Sequence, residues 1–169
     1  MPEIRLERRL KVPAEPAAQA LGELLKAIAR QEGPWHGFAL HIGLGDLRLP
    51  DVGYVAVPIT LTASKRSEDR LAFDVSFVSA NLPSAFPGFN GTMGLEEAAA
   101  IGEATLYLHG EYELPMQFFG RLLDAALLPH VARRSLENFI EEIGTACEAR
   151  VNQREADFVR YRFYARNLR

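Results

Sequence analysis

From residue 38 to residue 114 the sequence keeps returning to one pattern, apolar residues at alternate positions, and after Met116 it changes to the 3.6-residue period of an amphipathic helix. Phe38, Leu40, Ile42 and Leu44 alternate, then Val55, Val57, Ile59 and Leu61, then Leu71, Phe73, Val75 and Phe77. Phe89, Met93 and Leu95 form a weaker run, and Leu106, Leu108, Gly110 and Tyr112 a stronger one. Each run predicts a strand with one apolar face, leaving Ala72, Asp74, Ser76, Thr105, Tyr107, His109 and Glu111 to point outward. Consecutive strands of this kind need a cover for that one face.

The chain offers two helices as cover. Ile4, Leu6, Leu10 and Val12 alternate in a first strand over Glu3–Val12, interrupted by Arg8. Ala17, Leu21, Leu24, Leu25 and Ile28 then take helical spacing, with Pro13 and Pro16 near the start and Gly33-Pro34 past the end. The larger apolar stripe comes last. Phe119, Leu122, Leu123, Ala126 and Leu127 lead into Ala132, Leu136, Phe139, Ile140, Ile143 and Cys147, with Pro129 expected to bend or split the helix. The order strand, helix, five meandering strands, long helix predicts an α+β fold, a curved antiparallel sheet of about six strands wrapped around the C-terminal helix. A curled sheet and a straight helix leave a gap between them. The residues expected to line it are Val57, Ile59, Phe73, Val75, Phe77, Phe89, Leu106, Leu108, Tyr112, Leu136, Phe139 and Ile143. All are apolar except Tyr112, whose hydroxyl is the candidate polar anchor.

Composition narrows the function classes. A chain of 169 residues with a net charge of −3 forms one domain and has no general attraction for the phosphate backbone, so no sequence-specific nucleic-acid partner is expected. The lone cysteine, Cys147, excludes an intramolecular disulfide and a multi-cysteine zinc site, and is expected in the core. The start, MPEIRLERRLKV, alternates where a secretory signal would be continuously apolar, and no apolar run approaches the roughly 18 residues of a membrane span. A soluble, cytoplasmic protein is the expectation.

No catalytic or metal residue and no cofactor is assigned from the sequence. His36, His41, His109 and His130 lack metal-pair spacing, and His41 and His109 fall on solvated strand faces. GLGDLR, at residues 43 to 48, lacks the third glycine of a dinucleotide fingerprint and runs into a strand. There is no G-x-S-x-G elbow. Adjacent carboxylates Glu96-Glu97 and Glu141-Glu142 point apart on any regular element and read as solvated.

The segments VSFVSANLPSAFPGFNGTMGLEE and ATLYLHGEYELPMQFFGRLLDAALLPHVARRSLENFIEEI, with a strand closing on YELP, Gly120, and a long amphipathic helix, resemble the START/Bet v 1-like (SRPBCC, helix-grip) superfamily. The resemblance spans residues 3 to 152, extends to bacterial members of the carbon monoxide dehydrogenase subunit-like and polyketide cyclase/dehydrase-like kinds, and implies a helix-grip domain over 1–152. Many members carry two short helices where this chain has one. The resemblance implies binding of a small hydrophobic molecule, a lipid, isoprenoid, quinone or polycyclic aromatic, under the long helix; an aromatase/cyclase-like activity on a polyketide-type substrate is the alternative. In FPGFNG, residues 86 to 91, Gly88 and Gly91 are expected to let the strand bend while Phe86 and Phe89 close that end of the sheet. The remaining segment, 153–169, combines Arg154, Arg160, Arg162, Arg166 and Arg169 with Phe158, Tyr161, Phe163 and Tyr164. That composition points to a peripheral membrane or homodimer contact through residues 154–169, or to an interaction protein acting through this tail.

Overall fold

The expected alternation is present as six strands among the described residues. The computed structural model describes residues 2–35, 38–43, 53–81, 88–113 and 128–167. Strand β1 (Glu3–Leu10) leads into helix α1 (Ala14–Arg30) and a short 3-10 turn (Gly33–Trp35). Strands β2 (Ala39–Gly43), β3 (Tyr54–Lys65), β4 (Ala72–Ser79), β5 (Gly88–Glu97) and β6 (Ala104–Glu113) follow, then helix α2 (Leu128–Asn167). The sheet order is β1-β6-β5-β4-β3-β2, each strand antiparallel to its neighbour, so the meander runs from one edge and β1 completes the other. The sheet curls into a half-barrel around α2. The expected lead-in helix over Phe119–Leu127 and the loop aromatic Phe86 lie outside the described residues. Pro129 falls in the first described turn of α2, and α2 passes residue 152 without a break.

Register carries the apolar residues onto one concave face. Leu6 pairs with Leu108, Leu40 with Val57, Leu61 with Phe77, Phe77 with Phe89, and Phe89 with Tyr112. All of these are buried. The outward face is less uniformly wet than the alternation predicts. Ala72 is 1% exposed, because the Tyr107 ring lies across Gly94 beside it, and burial raises the pKa of the Tyr107 hydroxyl. Helix α1 stops at Gln31, not at a glycine. Gln31 adopts φ 54, and the amides of Gln31 and Glu32 donate to the carbonyls of Ile28 and Ala27.

Two polar tethers hold α2 between the edge strands. Arg8, the residue that interrupts the apolar alternation of β1, donates from Nε to Glu141 Oε2 at 2.9 Å and from Nη2 to Thr145 Oγ1 at 3.1 Å and Glu148 Oε2 at 3.2 Å. Glu148 also accepts from the Lys11 amide at 2.8 Å. On the other flank, Asn138 donates to the carbonyl of His41 at 3.0 Å, and Glu142 lies 3.7 Å from His41 Nδ1. Glu141 and Glu142 are therefore not simply solvated, as their adjacency suggests. One residue apart on a helix, they diverge by about 100°, so one reaches β1 and the other β2. Gly144 gives Arg8 its path, since a Cβ there would lie 2.7 Å from Arg8 Cδ.

Among the described residues no helix is long and apolar enough to cross a membrane. Cys147 is fully buried, as expected of a core residue, and burial pushes its thiol up to about 12.

Gly144→Ala should lower stability by about 1 to 3 kcal/mol in denaturant unfolding, because Arg8 must be displaced. In an Arg8→Ala background the same change should stabilise, by up to about 1 kcal/mol, as alanine replaces glycine in a helix interior. A loss in both backgrounds would reject the Arg8 contact. The two sheet faces separate equally sharply. Leu108→Arg should prevent stable folding, since no acid awaits it under α2, whereas His109→Ala, which removes an exposed pair with Glu3, should change stability by no more than about 1 kcal/mol.

Candidate functional site

The residues expected to line a gap all face the space between sheet and α2, each 8% exposed or less. Within that space they divide into three groups. Phe77, Phe89, Tyr112 and Leu136 surround a void, with Leu40, Gly88, Ala132 and Ser135 completing it. Val57, Ile59, Val75, Leu106, Leu108, Phe139 and Ile143 belong to the packed core beside it. Phe73 turns to the opposite end of the sheet, where its ring packs under Gly22 of α1 and faces an outer groove.

The void is small, about 10 Å³, room for roughly one water. Aromatic rings occupy the space the curvature would otherwise leave open. Phe77 stacks on Phe89 with centroids 5.2 Å apart and planes at 20°, and Phe139 meets Phe77 at 5.4 Å and Phe38 at 5.9 Å. The glycines near FPGFNG explain how Phe89 reaches this position. Gly91 on β5 and Gly110 on β6 pair across the sheet, and a Cβ on either would meet Phe89 Cζ within 2.9 Å. The Phe89 ring lies over that glycine pair. At Gly88, by contrast, an added Cβ would make only ordinary contacts, so space does not require a glycine there.

Ser135 is the polar lining residue that sequence reasoning missed. Buried at 3%, it donates from its hydroxyl to the carbonyl of Ala132 at 2.9 Å, one turn back on α2. Its position directly before Leu136 in the apolar stripe was the signal available. The lining thus offers two hydroxyl groups, on Tyr112 and Ser135, among apolar neighbours. Among the described residues no cluster of His, Cys, Asp and Glu is placed to hold a metal ion.

The three connections β2–β3, β4–β5 and β6–α2 all leave the sheet at the end where this void sits. Gly43 pairs with Tyr54 and Gly88 with Glu113, so both pairs lie at the ends of their strands on that side.

No protein-family model matches the sequence, and no curated protein does. Solved structures do match over nearly the whole chain. The Zhui aromatase/cyclase from Streptomyces sp. R1128 superposes with a TM-score of 0.53 at 13% identity, covering 89% of this chain and 95% of that one. A conserved protein from Geobacillus kaustophilus gives 0.53 at 12% identity, covering 86% and 95%. Ara h 8.0201 gives 0.50 at 14% identity, covering 90% and 98%. At such identities the likeness is one of fold, and it agrees with the element order, the closed meander and the clasped C-terminal helix. The chain has the helix-grip fold of the START/Bet v 1-like superfamily.

Proposed function

We propose that the protein binds a small hydrophobic molecule, a lipid, isoprenoid, quinone or polycyclic aromatic, between the sheet and the first half of α2. The observation that carries this reading is the character of the interior. Twelve side chains from β3, β4, β5, β6 and α2 present apolar surface to one space, and the polar groups beside its void are the hydroxyls of Tyr112 and Ser135. Apolar burial at about 25 cal/mol per Å² can hold such a molecule with one or two hydrogen bonds. A void of about 10 Å³ is far below the roughly 300 Å³ of a ligand pocket, so this arrangement is the ligand-free, collapsed state. Uptake requires the Phe77, Phe89 and Phe139 rings to turn or the N-terminal half of α2 to lift. That half is fastened on one side by Asn138 and Glu142 to the edge strand β2, the shortest strand among the described residues.

The aromatase/cyclase reading is second. It is supported by the fold shared with the Zhui enzyme, and it would have to run through Tyr112 and Ser135. Cyclisation needs a placed acid or base, and the charged group on the concave face, Arg8, is already engaged by Glu141 and Glu148. The run of α2 beyond residue 152, with Phe158, Tyr161 and Tyr164 at near-helical spacing in the sequence, supports a further contact with a membrane surface or a second copy.

Native mass spectrometry with solvent extraction of freshly purified protein should find a retained hydrophobic molecule, or the stripped protein should bind a neutral fluorescent probe such as Nile red. Phe139→Trp should weaken probe binding at least about tenfold and cost about 1 to 3 kcal/mol of stability, because the bulkier ring fills the space a ligand must enter. A protein that is empty as purified and binds no neutral probe would reject the reading.

A further inference from the structure

The largest open volume among the described residues is elsewhere. A groove of about 1070 Å³ runs between α1 and the β3–β4 hairpin, at the end of the sheet away from the void. Its floor is apolar: the Phe73 ring, Leu71 and Ala63 on the sheet side, and Gly22 on α1, where any side chain would strike Phe73. Because α1 is one continuous helix of 17 residues, its flank forms an unbroken wall along this floor.

The rim is charged, and the balance is positive. Lys26 stands on the helix wall, Lys65 and Arg70 on the hairpin wall, and among the described residues none of the three has an ion-pair partner. Arg30, also on the rim, lies 3.7 Å from Glu32. Of the two acids in the groove, Glu23 is already committed. It is bound by Arg150 at 2.9 Å and by Arg154, both from α2. Burial works to raise its pKa, but the hydrogen bond and charge of Arg154, with those of Arg150, hold the carboxyl below its ordinary value. That leaves Glu15, in the first turn of α1, against the three cations Lys26, Lys65 and Arg70.

We propose that this groove is a second binding site, specific for a single-tailed anionic amphiphile whose hydrocarbon chain lies along Gly22 and Phe73 and whose anionic head sits among Lys26, Lys65 and Arg70. The size argues for a small molecule, since the volume stands at the upper end of the range for ligand pockets. The charge argues for an anion, and the apolar floor for a tail. Neither feature alone would specify the class. This site stands apart from the interior one: it shares no residue with the void lining, and it is open without any ring or helix having to move.

The test is calorimetric binding of dodecanoate below its micelle concentration, with dodecanol and inorganic phosphate as controls. Dodecanoate should bind, and dodecanol and phosphate should each bind at least about tenfold more weakly. Lys26→Glu/Lys65→Glu/Arg70→Glu should weaken dodecanoate about tenfold or more, a sum of modest surface terms. Raising salt from about 0.1 M to about 1 M should weaken it as well, as the screening length shrinks from roughly 10 Å to 3 Å. Ala29→Trp, on the exposed helix wall, should block dodecanoate while leaving Nile red binding intact; Phe139→Trp should do the reverse. The proposal is overturned by absence of dodecanoate binding, by dodecanol or phosphate binding equally well, by indifference to both charge reversal and salt, or by loss of dodecanoate in Phe139→Trp with retention in Ala29→Trp. Binding only to anionic phosphatidylglycerol vesicles, and not to monomeric dodecanoate, would also overturn it and mark the patch as a membrane surface.

Discussion

Everything in this molecule follows from covering one apolar sheet face with one helix. Six strands each turn a single greasy side inward, and burying a Leu, Ile, Val or Phe from such a side contributes roughly 1.5 to 3 kcal/mol. The cover must therefore be α2, with α1 closing the end of the sheet. What apolar burial cannot do is choose the helix's rotation and position along the trough. That is set by the polar tethers at its flanks, Arg8 with Glu141, Thr145 and Glu148 on one side, and His41 with Asn138 and Glu142 on the other. Arg8 carries a cost, since its Nη1 is buried without a hydrogen-bond partner among the described residues. The side chain is placed by Gly144, and the three acceptors around it make the contact specific to one register of helix on strand.

The two ends of the trough then differ in character. At the end where α2 begins, aromatic rings from β4, β5 and α2 close over a glycine pair and leave space for about one water. At the other end α1 stands off from the β3–β4 hairpin and leaves a broad, positively rimmed groove. The same aromatic residue type does opposite work at the two ends. Phe77 and Phe89 fill interior volume, while Phe73, on the same strand as Phe77, lies under Gly22 and gives the outer groove an apolar floor. A ligand that enters the interior must do work against ring packing; one that enters the groove need only displace water.

Period and order carried most of the fold. Alternation in Leu106 and Leu108, or in Phe73, Val75 and Phe77, is a direct image of the pleat, and the change to helical spacing after Met116 leaves one geometry in which both stripes are buried. Strand ends moved by one or two residues, because hydrogen-bonded pairing, not hydrophobicity, decides where a ladder stops: β3 runs on to Lys65 through polar residues, while Val12 is buried beyond the end of β1. Arg8 was visible as an interruption, but its partners lie more than 130 residues away and no local pattern could name them.

The sequence by itself determined the number and order of elements, which face of each strand is apolar, the burial of Cys147 and the inward ring of Tyr112, since these depend on near-neighbour periodicity and on the cost of wetting apolar surface. Only the tertiary structure decided how the available volume is divided. Whether Phe77, Phe89 and Phe139 leave a cavity or fill it depends on ring orientations across three elements, and whether Lys26, Lys65 and Arg70 meet depends on how far α1 stands from a hairpin much later in the chain. Volume left between elements is a sum over distant side chains, and no residue carries it locally.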